Sequence, residues 1–447
     1  MFILRDLLPP LQQAFSNTHQ GQRRQVWFVY TLMAVVIPFT SSITSNLLRA
    51  LQTLFGMEIE SQRFYAFMAS TTLPWKALWK TLWGLIPNPA TLGRILMTLD
   101  DTISTKTGRK IFACGHFHDH AAKNNQTSYP WSQCIVAIGL LKQVKGRWAS
   151  LPLDFRFYLM KKDIEAKKRN AKKRKKLLSF KSKMDQAAEM LKGVFDFYKI
   201  PVLVITDSWF GNNGLWSRLD QGRNGDFHLL SRLRTNITLY DHTPVIAAGG
   251  KRRRGRPRKY GDRLGIVDQC AGSYRELAQT LSVFLYGKQR DVLAYSRTVM
   301  LKTMKRKVRV VWVFRKTSYV ALVTTDLSLS VEQMIEYYGA RWKIEAGFKE
   351  IKQEIGSARS QTRDAHAVLN HLNFCMMAAT LTWIYADRLQ YEPDRKYKIR
   401  GRASFAFSDV RRTIAEEALN PDFQSICPSH VQNPQNSFVK TLLRMVA

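Results

Sequence analysis

The sequence predicts a mixed α/β protein in which an α/β core is interrupted by a β-rich insertion and preceded by an all-helical N-terminal module. Three observations carry that expectation. Apolar runs ending in acids alternate with helical periods between residues 91 and 234. Four β-patterned stretches follow between 235 and 325, and strong helical periodicity then resumes through residue 390. The chain has 447 residues, 45% of them hydrophobic, with 11 Trp and 24 Phe, enough for a large core in more than one part.

Residues 1–90 read as helices: LLPPLQQAF, the apolar run at 26–39, SSITSNLLRALQTLF and SQRFYAFMASTTLPWKALWKTLWGLI, closed by Asn88 and Pro89. The run at 26–39 is shorter than the ~20 residues of a bilayer span and carries Pro38, so it reads as a buried helix. Arg23, Arg24, Arg49 and Arg63 are this module's candidates for facing phosphate. ILMTLDDT then reads as a buried strand delivering Asp100 and Asp101 at its carboxyl end, followed by two further strands. A basic stretch at 161–176 and a helix at about 180–198 lead to PVLVITDSWFGNNGL, an apolar strand ending at Asp207. A short helix and the strand FHLLSRLR complete this section. Carboxyl ends of neighbouring strands form the usual ligand crevice in an open sheet.

The insertion at 235–325 contains LSVFLYG, VLAYSRTVML, KVRVVWVF and SYVALVTT, together with the basic loop GGKRRRGRPRKYGDR. Residues 326–390 return to helix, and 391–447 form a tail of weak periodicity, a candidate for oligomerisation. Within YYGARWKIEAGFKEIK, Tyr338, Arg341, Glu345 and Lys352 fall within about 60° of one another on a continuous α-helix. Ala340, Ile344, Phe348, Ile351 and Ile355 form an apolar stripe directly beside them, which places Glu345 at the rim of a cleft.

Lys and Arg number 69 against 34 Asp and Glu, a net charge of +35, and a polyanion is the natural partner. The five cysteines include no CxxC pair, which fits a reducing cytoplasm and disfavours structural zinc. His116, His118 and His120 alternate in HFHDH, but no matching Cys or acid constellation accompanies them, so a polar loop is the preferred reading. Asp101, Asp207 and Glu345 each end or border an apolar element, and their hard oxygen ligands suit Mg²⁺ or Mn²⁺. Two such ions serve phosphodiester chemistry by activating the attacking oxygen and stabilising the leaving one. Asp100 and Asp101 point to opposite faces of a strand, so only one of them is a ligand.

The spacing YxxRxxxExxxxxxK at Tyr338, Arg341, Glu345 and Lys352, with DDT at residues 100–102 and TDSWFGN at residues 206–212, resembles bacterial insertion-sequence DDE transposases carrying the YREK signature. The resemblance spans residues 91–390 and implies an RNase H-like core. It selects Asp101 over Asp100 and implies Asp101, Asp207 and Glu345 as catalytic, metal-binding acids with two Mg²⁺ or Mn²⁺ ions. It implies further that Tyr338, Arg341 and Lys352 contact double-stranded DNA at transposon terminal inverted repeats, that target DNA is a second partner, and that two subunits act as a dimer. The expected locale is the bacterial cytoplasm, at the nucleoid, with no membrane partner. Some relatives stack a flipped base on a tryptophan of the insertion; Trp312 is the candidate by location, with Trp209 and Trp342 as rivals. The basic segments containing Lys172, Lys173 and Arg174, and Arg254, Arg256 and Arg258, are expected to touch phosphates. RGRPRK also resembles a minor-groove AT-hook core. The expected reaction is cut-and-paste transposition; a silent DNA-binding regulator on the same fold, or a nuclease without strand transfer, are the alternatives.

Overall fold

The computed structural model describes residues 6–38, 40–120, 122–168, 180–220, 225–243, 259–397 and 404–418. Two compact units are present, one built from Met1–Pro89, Asp101–Ser182 and Glu345–Ala447, the other from Ala90–Asp100 and Lys183–Ile344. The chain passes between them within β1 (Ile95–Thr105), after Asp100, and again within α11 (Trp342–Lys349), before Glu345.

The first unit begins with α1 (Leu8–Gln12), α2 (His19–Val36), α3 (Thr44–Phe55), α4 (Ser61–Met68) and α5 (Trp75–Gly84). Thr18 caps α2 by accepting from the Gly21 amide, and residues Phe28 to Val36 of that helix are all buried. These helices do not stand apart as the sequence suggested. Trp75, Trp79 and Trp83 recur every four residues on α5, and each indole N–H is bound by a distant residue. Trp75 donates to Asn370 Oδ1 at 2.6 Å, Trp79 to Asn373 Oδ1 at 2.8 Å and Trp83 to the Leu153 carbonyl at 3.1 Å. The two asparagines lie on α12 (Ala365–Arg388), started by Asp364, whose carboxylate accepts the His366 and Ala367 amides. By length and composition α12 is apolar enough to cross a bilayer, yet 94% of its most apolar window is buried inside this fold.

The same unit holds β2 (Cys114–His116), β3 (Trp131–Val144), β4 (Arg147–Tyr158), α6 (Lys161–Lys168) and α13 (Phe407–Ala418). β3 and β4 form a long antiparallel hairpin, and β3 lies between β2 and β1. Arg411 of α13 donates to the carbonyls of Val35, Val36 and Glu354, drawing three chain segments together.

In the second unit α7 (Lys183–Tyr198) precedes β5 (Val202–Thr206), α8 (Asn213–Leu219) and β6 (Phe227–Arg232). β1 pairs in parallel with β5 from Ile95↔Val202 to Leu99↔Thr206, and β5 in parallel with β6. β7 (Thr238–Tyr240), β8 (Arg263–Ile266), α9 (Val267–Tyr274), β9 (Gln279–Leu285), β10 (Lys288–Leu301), β11 (Arg306–Phe314) and β12 (Tyr319–Thr324) make up the β-rich stretch. β12 pairs antiparallel with β6, Leu322↔Arg232 to Thr324↔Leu230, so the core sheet runs on through β12, β11 and β10. α10 (Val331–Ala340), started by the reciprocal Ser330–Gln333 capping box, leads into α11.

The antiparallel β3–β4 hairpin of the first unit and the parallel β1–β5–β6 ladder of the second are the elements of a mixed α/β, RNase H-like core. The motif helix departs from the single α-helix expected. It breaks at Arg341 between α10 and α11, and residues Glu350–Glu354 form a π-helical turn. A π turn offsets every later side chain from α-helical phase, so Lys352 does not follow the 100° stripe.

Candidate active site

Each acid sits where an apolar element meets solvent. Ile95, Leu96, Met97 and Leu99 are fully buried, whereas Asp100 and Asp101 are half-buried. β5 stops at Thr206, whose Oγ1 donates to the Leu99 carbonyl at 2.9 Å, and Asp207 follows directly. β1 instead runs on to Thr105, so Asp100 and Asp101 lie inside the strand rather than at its end, at the level where its partner stops.

Asp207 is held by a local turn. Its Oδ1 accepts the amides of Trp209 and Phe210, both at 3.0 Å, and the Gly211 amide reaches its carbonyl at 2.9 Å. Those side-chain bonds go to one oxygen, so Oδ2 is the oxygen available to a cation. Asp101 Oδ2 accepts from Cys134 Sγ of β3 at 3.5 Å. Glu345 occupies the first turn of α11, half-buried, where the helix dipole favours a carboxylate. The flanking stripe of Ala340, Ile344, Phe348, Ile351 and Ile355 is buried throughout.

Within the second unit the structure brings Asp100, Asp207, Tyr338 and Arg341 into one electrostatic neighbourhood. Arg341 Nη1 donates to Asp100 Oδ2 at 3.1 Å, and its guanidinium lies 5.8 Å from the Tyr338 ring and 5.5 Å from that of Trp342. Burial pushes the Tyr338 phenol up; Arg341 and Arg232 oppose that shift and Asp207 adds to it. Only 8% of the Arg341 side chain is exposed, and its charge is directed at Asp100. Within the first unit Lys352 donates to Thr102 Oγ1 at 2.9 Å and to the Ile103 carbonyl at 3.3 Å, one residue beyond Asp101. Burial lowers the Lys352 ammonium, and Asp119 opposes that shift.

Trp312 is corrected outright. It is 0% exposed, its indole N–H donates to the Val267 carbonyl at 3.1 Å, and Tyr274 packs edge-on at 5.0 Å. A side chain so enclosed has no face for a nucleobase. The exposed tryptophans near the acids are Trp209, at 43%, and Trp342, at 55%. Lys172, Lys173 and Arg174, and Arg254, Arg256 and Arg258, lie outside the described residues.

Among the described residues no three His, Cys, Asp or Glu side chains form a ready metal cage. The HFHDH segment instead spends its rings on neighbours: His116 Nδ1 lies 3.0 Å from the Tyr129 carbonyl, and His118 packs against His120 and Tyr129. A preformed cage is not what Mg²⁺ asks for, since it keeps several waters and takes one or two carboxylates plus substrate phosphate oxygens. Half-buried carboxylates such as Asp101, Asp207 and Glu345 fit that donor chemistry.

The family model described as DDE superfamily endonuclease matches residues 10–304, well over half of the chain. The match takes in Asp101 and Asp207 and ends before the segment that carries Glu345. None of the curated proteins compared with the chain matches it. With the acid-bearing β1, the Asp207 turn and the RNase H-like sheet in place, the chain belongs to the DDE superfamily endonucleases.

Proposed function

We propose that this DDE endonuclease is a DNA transposase that cuts at transposon terminal inverted repeats and joins the freed ends to target DNA. The observation that carries the reading is the pairing of β1 with β5, which stops at Leu99↔Thr206 just before Asp100–Asp101 and Asp207, in a chain of this family. The net charge of +35 supports duplex DNA as the partner. Asp101, Asp207 and Glu345 are the acids assigned to hold two Mg²⁺ or Mn²⁺ ions. Such ions, when bound, supply Lewis acidity at the scissile phosphate. The Asp207 turn keeps that carboxylate in one orientation, and Lys352, tied to Thr102 and Ile103, carries a positive charge beside the acid-bearing stretch of β1. Water adds to a terminal phosphodiester and breaks its P–O3′ bond, leaving a 3′-OH and a 5′-phosphate. That 3′-OH then forms a P–O bond at a second phosphodiester as the latter's own P–O3′ bond breaks, and the released 3′-oxygen takes up the proton given up by the attacking hydroxyl. Two subunits holding two ends are the proposed working assembly, acting at the bacterial nucleoid.

The test is incubation of the full chain with element-end duplex, target DNA and Mg²⁺, with products resolved by strand. Strand-joined products are expected. Cut ends that never join would reduce the protein to a nuclease, and no cutting at all would leave a DNA-binding regulator. Glu345→Gln should bind duplex normally and neither cut nor join; Mg²⁺-dependent cutting by that variant removes Glu345 from the acid set.

A further inference from the structure

One cavity of the first unit has a lining unlike an ordinary core void. It is a cleft whose empty space, open solvent included, is about 490 Å³, between the end of β1, β3, the π turn and the start of α12. Thr102 and Ser104 of β1 and Lys106, the residue after that strand ends, line it together with Lys352, Ser360 and Thr362. Its lining residues include two lysines and several hydroxyls but no Asp or Glu.

Lys106 is 8% exposed and donates to the carbonyls of Ala358 at 2.9 Å and Ser360 at 2.8 Å. Lys352 donates to Thr102 Oγ1 and the Ile103 carbonyl. An ammonium has three protons, so among the described residues each lysine retains one N–H beyond these two bonds. Burial lowers the Lys106 ammonium to about 8, the expected response of a cation with neutral oxygen partners. Ser360 Oγ and Thr362 Oγ1 lie 3.1 Å apart and add rotatable donors. Two like charges sharing one open cavity, with donors and no lining carboxylate, favour an anion with several acceptor oxygens.

We propose that this cavity binds a phosphodiester group of a DNA strand, with Lys106 and Lys352 as its two cations and the hydroxyls of Ser360 and Thr362 as supporting donors. It rests on the reading of DNA as substrate and adds Lys106 and the segment after the π turn to the DNA-binding surface. Lys106 is a binding residue here, distinct from the acids.

The test compares the full chain with Lys106→Met and Lys106→Arg, measuring duplex affinity across a salt series, and follows amine labelling of Lys106 with duplex or inorganic phosphate present. Lys106→Met should bind roughly tenfold more weakly, with the slope of log K against log salt smaller by about 0.9, the value of one phosphate contact. Lys106→Arg should keep the wild-type slope, and duplex should shield Lys106 from labelling. A stable Lys106→Met variant with an unchanged slope overturns the proposal and leaves Lys106 as a cap for Ala358 and Ser360. Should Lys106→Met fail to fold, Thr362→Val and the labelling decide, and unshielded Lys106 in saturating duplex overturns it. Shielding by inorganic phosphate but not by duplex overturns the phosphodiester assignment. Wild-type protein that shows no salt-dependent duplex binding refutes the DNA reading itself, an outcome separate from a null effect of Lys106→Met.

Discussion

Arg341 reaches Asp100 across 3.1 Å with 8% and 19% of the two side chains exposed, so the first acid of the DDT pair is engaged by the arginine of the motif helix. This separates the roles of two adjacent aspartates. Asp100 anchors Arg341, and Asp101, on the opposite face of β1, meets Cys134. Removing one partner of a buried pair leaves the other charge without compensation. Asp100→Asn should therefore lower unfolding free energy by about 3 kcal/mol, read from urea midpoints. The double variant Asp100→Leu with Arg341→Met should cost less than the sum of its singles, and strict additivity would argue against the pair.

Trp312 and Trp209 should behave in opposite ways. Trp312→Ala empties a fully enclosed site and should destabilise by roughly 3–5 kcal/mol, visible in thermal melting. Trp209→Ala, at an exposed position beside Asp207, should leave melting nearly unchanged. It should weaken binding to a duplex with an unpaired end by roughly tenfold, within the range of one lost base stack. Equal affinity of wild type and Trp209→Ala for that substrate would remove the stacking role.

Gly211 is required by close approach rather than by backbone sign. A Cβ there would overlap Ser231 Oγ and Cβ and stand 2.8 Å from the Asp207 carbonyl oxygen. Gly211→Ala should shift the Asp207 turn and reduce cleavage more than it reduces duplex affinity. Adding Ser231→Gly removes the overlapping atoms and should restore part of the rate; no recovery would place the fault elsewhere.

His371 predicts an acid weakness. Burial lowers its imidazole to about 4, nearby Lys106 adds to the shift, and its bond to the Ser42 carbonyl at 2.6 Å opposes it; Cys375 lies 3.8 Å away. Between the ordinary value near 6.5 and 4, the unfolded chain binds the proton more readily than the folded one, so acid favours unfolding. Stability from this group is complete above pH 6.5 and falls by about 3 kcal/mol as pH drops to 4, at 1.36 kcal/mol per unit. His371→Gln should flatten the dependence of the urea midpoint across that window; an unchanged slope would assign the acid weakness to other groups.

Much of the core was legible because long apolar runs permit few alternatives. ILMTL and VLVIT read as buried strands, and the helical period within residues 326–390 anticipated α12. The break at Arg341 and the π turn were not legible, because no local residue type demands them; the Ile355 amide simply reaches the Glu350 carbonyl at 2.9 Å. Trp312 misled because strand alternation reveals which side chains share a face but not what covers that face. The N-terminal helices looked separable because the partners of Trp75 and Trp79 lie 295 and 294 residues onward. Lys106 was within reach: Thr102, Ser104 and Lys106 alternate, a pattern hidden only by ending the strand at Asp101.

Arg411 gives this architecture a consequence for synthesis. The carbonyls of Val35 and Val36 receive their guanidinium donor from a residue made 376 and 375 positions later, and the same group holds the Glu354 carbonyl. While the polypeptide is still leaving the ribosome, the exit of its second helix and the turn bearing Lys352 both lack this clasp. A stop between Asp207 and Phe407 would yield a fragment with the Asp101 and Asp207 motifs intact but that joint unfastened, so the clasp closes only once the chain has been made through Arg411.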